Sequence, residues 1–149
     1  MTSVNGNLPP KLRSIIEDFQ MSEGQEKLEL LLQYAEEMPP PPDWAQGDPG
    51  AREPVQECMT PVFMQAEIQD GRMRFFIDVP KSSPTVRGFA TIMLHGLEGL
   101  APEEILKVPN DFFQEMGLDQ MLTYQRLNGF SAILAHMKLL ATKAFQTQV

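Results

Sequence analysis

The sequence predicts an α+β fold: a small antiparallel β-sheet, formed by a hairpin over 62–79 and one possible short extra strand, packed against several α-helices. Two observations give the sheet. Apolar and polar residues alternate over 62–68 and again over 73–79, the two-residue period of a half-buried strand. Between these runs lies Asp70-Gly71, a strong signal for a two-residue turn. The third observation gives the helices: in the flanking stretches apolar residues recur three and four positions apart. One face of the hairpin is apolar, so the helices must cover it. With 149 residues, no internal repeat and no composition break, the chain reads as one domain, 1–149.

In chain order, residues 1–8 are polar and are read as frayed. After Pro9-Pro10, the spacing of Leu12, Ile15, Ile16 and Phe19 predicts a short amphipathic helix. A second helix is predicted with Ser22 as its cap, Gln25 in the capping-box position, and Leu28, Leu31, Leu32, Ala35 and Met38 on one face. Pro39-Pro40-Pro41-Pro42 ends it and reads as an extended, stiff connector. Residues 39–54 form a Pro-rich loop that Trp44 pins to the body, and a short strand is predicted near 54–56. After the hairpin, Pro80 to Pro84 is a turn. Val86, Phe89, Ala90, Met93, Leu94 and Leu97 then mark a helix that ends at Gly96 or Gly99. Ala101-Pro102-Glu103-Glu104 reads as a helix start, with acids against the positive helix end. A short helix follows Pro109-Asn110-Asp111. The last helix is predicted over 125–145, with a seam of Leu127, Phe130, Leu134, Met137, Ala141 and Ala144.

Charge narrows the partners. The net charge is −8, and residues 1–57 carry 11 acidic against 4 basic residues. Nucleic acid is excluded as a partner, because phosphate binding needs a positive footprint. No apolar run is long enough to span a membrane, and the N-terminus has neither the pattern of a secretory signal nor that of a transit peptide. The expected location is the cytoplasm, which suits a chain with a single cysteine.

That cysteine, Cys58, stands where the loop hands over to the hairpin, among Gln56, Glu57, Met59 and Thr60. A lone cysteine is either a small buried hydrophobe or a reactive thiol. A thiolate on such a loop is a good nucleophile toward sulfur. With no second cysteine, an internal disulfide and thioredoxin-type chemistry are excluded. Glu57 disfavours the thiolate, so activation has to come from elsewhere, with Arg126 or a partner's groups as candidates. Arg126 stands at the positive end of the last helix, unfavourably for a cation, so it reads either as a residue with a specific task, such as pairing an acid or holding the Cys58 loop, or as an idle surface charge. Asn128-Gly129 follows it and reads as packing. His95 and His136 lack the spacing of metal ligands to Cys58. His136 is read at an edge of its helix's apolar face.

The stretch Val55-Gln56-Glu57-Cys58-Met59-Thr60-Pro61-Val62-Phe63 resembles the Val-x-Gly-Cys-x-Ser-x-Val-aromatic loop of the SufE family, the cysteine desulfuration proteins. Leu30-Leu31-Leu32-Gln33-Tyr34-Ala35 before Pro39, Val86-Arg87-Gly88-Phe89, Pro102-Glu103-Glu104-Ile105, Gly117-Leu118 and Arg126-Leu127-Asn128-Gly129-Phe130 are similar to further family segments, in the same order. The resemblance implies a SufE/IscU-like fold. It also implies a sulfur carrier that takes persulfide sulfur from a cysteine desulfurase (SufS-like) onto Cys58, stimulates that enzyme, and passes the sulfur to an iron–sulfur scaffold complex (SufBCD-like). The protein would hold no cofactor of its own, since the partner carries pyridoxal phosphate, and it would be an activator rather than a stand-alone enzyme. Gln56, Glu57, Met59, Thr60, Arg126 and Asn128 would support the loop and contact the partner.

The chain departs from the pattern in three places. Glu57 replaces a Gly, Pro61 follows Thr60, and Val79-Pro80-Lys81-Ser82-Ser83 replaces a Gly-Asp-Ser-Asp-Ala turn. These departures motivate an alternative, a diverged interaction module without sulfur transfer. A stand-alone thiol enzyme is a further alternative that only the lone cysteine supports.

Overall fold

The computed structural model describes residues 8–47, 49–56 and 59–148. Pro9, with φ fixed by its ring, leads into helix α1 (Pro10–Met21), which buries the four predicted residues Leu12, Ile15, Ile16 and Phe19. Leu8, assigned to the frayed terminus in the sequence reading, is buried as well. It is an apolar side chain directly before the prolines, and Arg13 Nη2 donates to its carbonyl at 3.1 Å. Helix α2 (Gln25–Glu36) does not use Ser22 as its cap. Ser22 ends α1 instead: its hydroxyl turns back to donate to the Asp18 carbonyl at 3.0 Å, and Gly24 takes the cap position. The Glu26 carboxylate accepts from the Glu23 N–H at 3.0 Å and so satisfies one free donor of that helix start.

Helix α2 stops ahead of the proline run, as predicted. The segment after it is less loop-like than its composition suggests, because it holds helix α3 (Asp43–Gln46), a 3₁₀ turn (Pro49–Ala51) and strand β1 (Glu53–Pro54). Strands β2 (Phe63–Gln69) and β3 (Arg72–Asp78) form the predicted hairpin, with Gln69 opposite Arg72. Asp70 and Gly71 both take positive φ, 55° and 77°, as a tight hairpin turn of this hand requires. The sheet order is β1-β2-β3, all antiparallel.

The inner face pairs Met64 with Ile77, Ala66 with Phe75 and Ile68 with Met73, against the helices. The outer face is not left to solvent as the alternation implies. Phe76 is buried there beneath Arg52, whose guanidinium carbon lies 4.8 Å from the ring centroid. Arg52 also pairs with Asp78 at 3.6 Å and donates to the Ala45 carbonyl at 3.3 Å. The 43–54 segment is therefore fastened over the outer face by Arg52, with Ala45 buried and Trp44 half-buried.

Helix α4 (Pro84–Leu97) is apolar nearly all round and is buried nearly all round. Its Gly88 lets α2 approach closely, since a Cβ at this position would stand 2.2 Å from the Leu31 carbonyl oxygen. Helix α5 (Pro102–Leu106) begins as predicted, with the Ala101 N–H donating to Glu104 Oε1 at 3.0 Å. The short helix predicted next is two 3₁₀ turns (Phe112–Met116 and Leu118–Gln120) hinged at Gly117, φ 73°. Helix α6 (Tyr124–Gln148) closes the fold with its predicted seam inward. At the centre Phe130 of α6 stacks on Phe89 of α4, ring centroids 4.2 Å apart, and Phe113 meets both rings edge-on. Among the described residues no helix is long and apolar enough to cross a membrane.

Candidate functional site

The loop that carries the cysteine is closed at its base. Beyond the two β1–β2 pairs, the Val55 N–H donates to the Val62 carbonyl at 2.8 Å, and both valines are buried. Apolar anchors on either side thus fix the two ends of residues 56–61. Cys58, the predicted nucleophile, and Glu57 beside it lie outside the described residues. Gln56 is exposed on a turn, Thr60 is half-buried, and Met59 is 79% exposed.

Met59 and Thr60 border a cleft of about 270 Å³. Ser83 and Val86 from the head of α4 line it, as do Thr123, Gln125, Arg126 and Gly129 from the head of α6. Two helix N-termini therefore open onto one small cleft. Their free N–H groups and the Arg126 charge make it favourable for an anion. The Thr123 hydroxyl accepts from the Arg126 N–H at 3.3 Å, capping α6. The Arg126 guanidinium donates through Nη1 to the Thr85 hydroxyl at 2.7 Å, a bond from α6 to the first turn of α4. This bond resolves the unfavourable placement of a cation at a helix start. Tyr124, which lies in sequence between the cleft residues Thr123 and Gln125, is 79% exposed.

The structure thus brings Met59, Thr60 and Arg126 together. Asn128 is exposed and does not line the cleft, whereas the adjacent Gly129 does. Thr85 and Thr123 were not singled out from the sequence, and Ser83 entered only as the last residue of the altered 79–83 turn. Thr123 carried a readable signal, a capping residue just ahead of the last helix. The other two are brought in only by the docking of α4 on α6.

A second polar contact lies on the approach to the loop. Glu53 of β1 places Oε1 3.2 Å from His136 Nε2 and Oε2 3.6 Å from Lys143 Nζ, both on α6. The His136 contact is an ion-pair distance without the alignment of a hydrogen bond. His136 is buried, and burial pushes its pKa down although Glu53 opposes the shift. His95 is exposed and meets a different acid, Glu37, at 3.9 Å. Among the described residues no three His, Cys, Asp or Glu side chains cluster as metal ligands would.

Fold and site together define an α+β protein that holds a short closed loop beside an anion-favouring cleft between two helix heads. The SufE family model, described as an Fe-S metabolism associated domain, matches residues 13–141. A SufE-like protein of Mycobacterium tuberculosis is 41% identical over 133 residues, which is 89% of this chain and 92% of the relative. A SufE-like protein of Synechocystis is 33% identical, covering all of this chain and 89% of its own length. The solution structure of a hypothetical protein from Thermus thermophilus superposes with a TM-score of 0.81 at 37% identity, over 93% of this chain and 98% of that one. The chain belongs to the SufE family.

Proposed function

We propose that the protein is a sulfur acceptor and carrier, with Cys58 as the group that receives persulfide sulfur from a cysteine desulfurase for iron–sulfur cluster assembly. The observation that carries the reading is the closed 55–62 loop, which leads through Met59 and Thr60 into a cleft built by Arg126 and two helix N-termini. Family membership supports it, as does a Plasmodium vivax relative, 26% identical over 94% of this chain and 56% of its own, named cysteine desulfuration protein SufE.

The chemistry is an exchange at sulfur. The Cys58 thiolate attacks the terminal sulfur of the donor persulfide, and a new S–S bond forms as the donor's S–S bond breaks. The donor leaves as a thiolate, and the terminal sulfur stays on Cys58 as a persulfide. Sulfur is neither gained nor lost overall, and no external oxidant or reductant enters. Arg126 and the helix heads stabilise the negative charge on attacker and product, and so offset the Glu57 carboxylate next to Cys58. Met59 and Tyr124 supply apolar contact to the docked desulfurase. The partner contributes the pyridoxal phosphate chemistry, and this chain presents the acceptor.

The test is an intact-mass measurement after incubation with a cysteine desulfurase and L-cysteine. Wild-type protein is expected to gain one sulfur atom that a thiol reductant removes, and Cys58→Ser to gain none. Binding to the desulfurase with no sulfur gain on the wild type would overturn this function in favour of a diverged interaction module, which Glu57, Pro61 and the altered 79–83 turn motivate.

A further inference from the structure

Glu53 opens β1, on the arm that runs into the sulfur-carrying loop. β1 is two residues long and lies at the sheet edge, so its ladder to β2 is two pairs. So short a ladder fixes an arm weakly. From the other side, α6 presents His136 and Lys143 to the two oxygens of the Glu53 carboxylate, at 3.2 and 3.6 Å. His136 sits in a face otherwise made of Phe130, Ile133, Leu134 and Met137, and its side chain is 6% exposed. An imidazole is an expensive choice for such a position unless it meets a polar partner. The partner it meets lies on the loop's approach arm, and the sulfur exchange itself uses neither residue.

We propose that Glu53 is a positioning residue for the sulfur-carrying loop: His136 and Lys143 clamp its carboxylate to α6 and thereby hold the arm leading to Cys58 beside the cleft. The inference rests on the sulfur-acceptor reading, because it assigns the clamp a task in that reaction. Met59 and Thr60 meet the cleft head at the far end of the loop, and the clamp ties β1, at the near end, directly to the helix whose first turn builds the cleft. A fixed approach arm keeps the acceptor sulfur near its attack geometry, and a loose one spreads it over many unproductive positions.

The experiment compares Glu53→Gln, which keeps the shape and removes the charge, with wild type in two assays. In the free protein, alkylation of Cys58 by iodoacetamide is followed across pH and normalised to the thiolate fraction. With a desulfurase and L-cysteine, persulfide formation is measured as a function of desulfurase concentration. The loosened arm is expected to speed normalised alkylation about threefold, as local opening does. It is expected to slow the saturating transfer rate on the order of tenfold at an unchanged half-saturating concentration. Lys143→Ala reproduces part of both effects, and Lys143→Arg, which keeps the charge, stays near wild type in both assays. It also keeps the test open if Glu53→Gln folds poorly, because the Lys143 side chain is exposed. Unchanged alkylation and transfer in Glu53→Gln and Lys143→Ala overturn the proposal, as does a change that only follows the loss of global stability. If wild type accepts no sulfur, the acceptor reading fails by itself, and the alkylation ratio still decides whether the clamp holds the arm.

Discussion

The Arg126 guanidinium and the Thr85 hydroxyl are joined at 2.7 Å across the heads of α6 and α4. This one bond ties together the two helix starts that build the cleft and holds a positive charge at its wall. Arg126→Ala is expected to lower stability by only about 1 kcal/mol, the worth of a single side-chain hydrogen bond. Sulfur acceptance should fall more, on the order of tenfold, because the cleft loses charge and alignment together. Denaturant unfolding and the intact-mass assay on one preparation separate the two effects. Thr85→Val keeps the charge and loses the bond, and should fall between wild type and Arg126→Ala.

Gly88 is expected to tolerate no side chain. A Cβ there would sit 2.2 Å from the Leu31 carbonyl oxygen, and backbone cannot rotate away. Gly88→Ala should destabilise by about 3 kcal/mol as α2 is pushed off α4. At Gly96 the nearest atom to a new Cβ is the flexible end of Leu12, at 2.9 Å. Gly96→Ala should therefore cost less, about 1 kcal/mol. Urea midpoints of the two variants test the ranking.

Arg52→Ala should uncover Phe76 and free the 43–54 segment. The loss combines a cation–π contact, an exposed ion pair and the packing of the arginine stem, about 2 kcal/mol in all. Arg52→Lys should recover only part, since an ammonium group stacks less well on the ring and lacks the fork that reaches Asp78 and the Ala45 carbonyl. Hydrogen exchange across 43–54 should quicken in Arg52→Ala while α4 stays protected.

His136 makes stability depend on pH in a defined direction. Its pKa in the folded protein is depressed below the ordinary 6.5, chiefly by burial, so the folded state binds its proton less readily than the unfolded chain. Its contribution is fully present above pH 6.5 and is lost as pH falls through the depressed value. Replacing it with a group that does not titrate, His136→Gln, should flatten that part of the profile. The difference in unfolding free energy between wild type and His136→Gln should hold above pH 6.5 and narrow as pH falls below it, since the carboxylates common to both cancel.

Much of this fold was legible because its signals are local. Asp70-Gly71 set the hairpin, the four prolines stopped α2, and the Leu127-to-Ala144 seam gave α6 its face. What escaped was tertiary. Phe76 belongs to the outward set of an alternating strand, and only the return of Arg52 across the sheet buries it. Ser22 carries every mark of a helix cap, yet its hydroxyl is drawn back to Asp18 and Gly24 takes the cap position. The site divided in the same way. Arg126 was conspicuous because it stands against the helix dipole, and Met59 and Thr60 through their place in the loop motif. Thr85 and Ser83 are ordinary residues in sequence, and their role follows from α4 meeting α6. Glu53 and His136 are 83 positions apart, and nothing in the local pattern pairs them.

On the proposed function, the rung between Val55 and Val62 also limits how far the sulfur would travel. Cys58 is three positions from one anchor and four from the other. Even a fully drawn-out chain would carry its Cα no farther than roughly 11 Å from Val55. A carrier on so short a tether cannot swing between distant stations. Under that function, donor and recipient would each have to come to the same small patch of surface, one after the other, and the delivery route would be set by the order in which they dock.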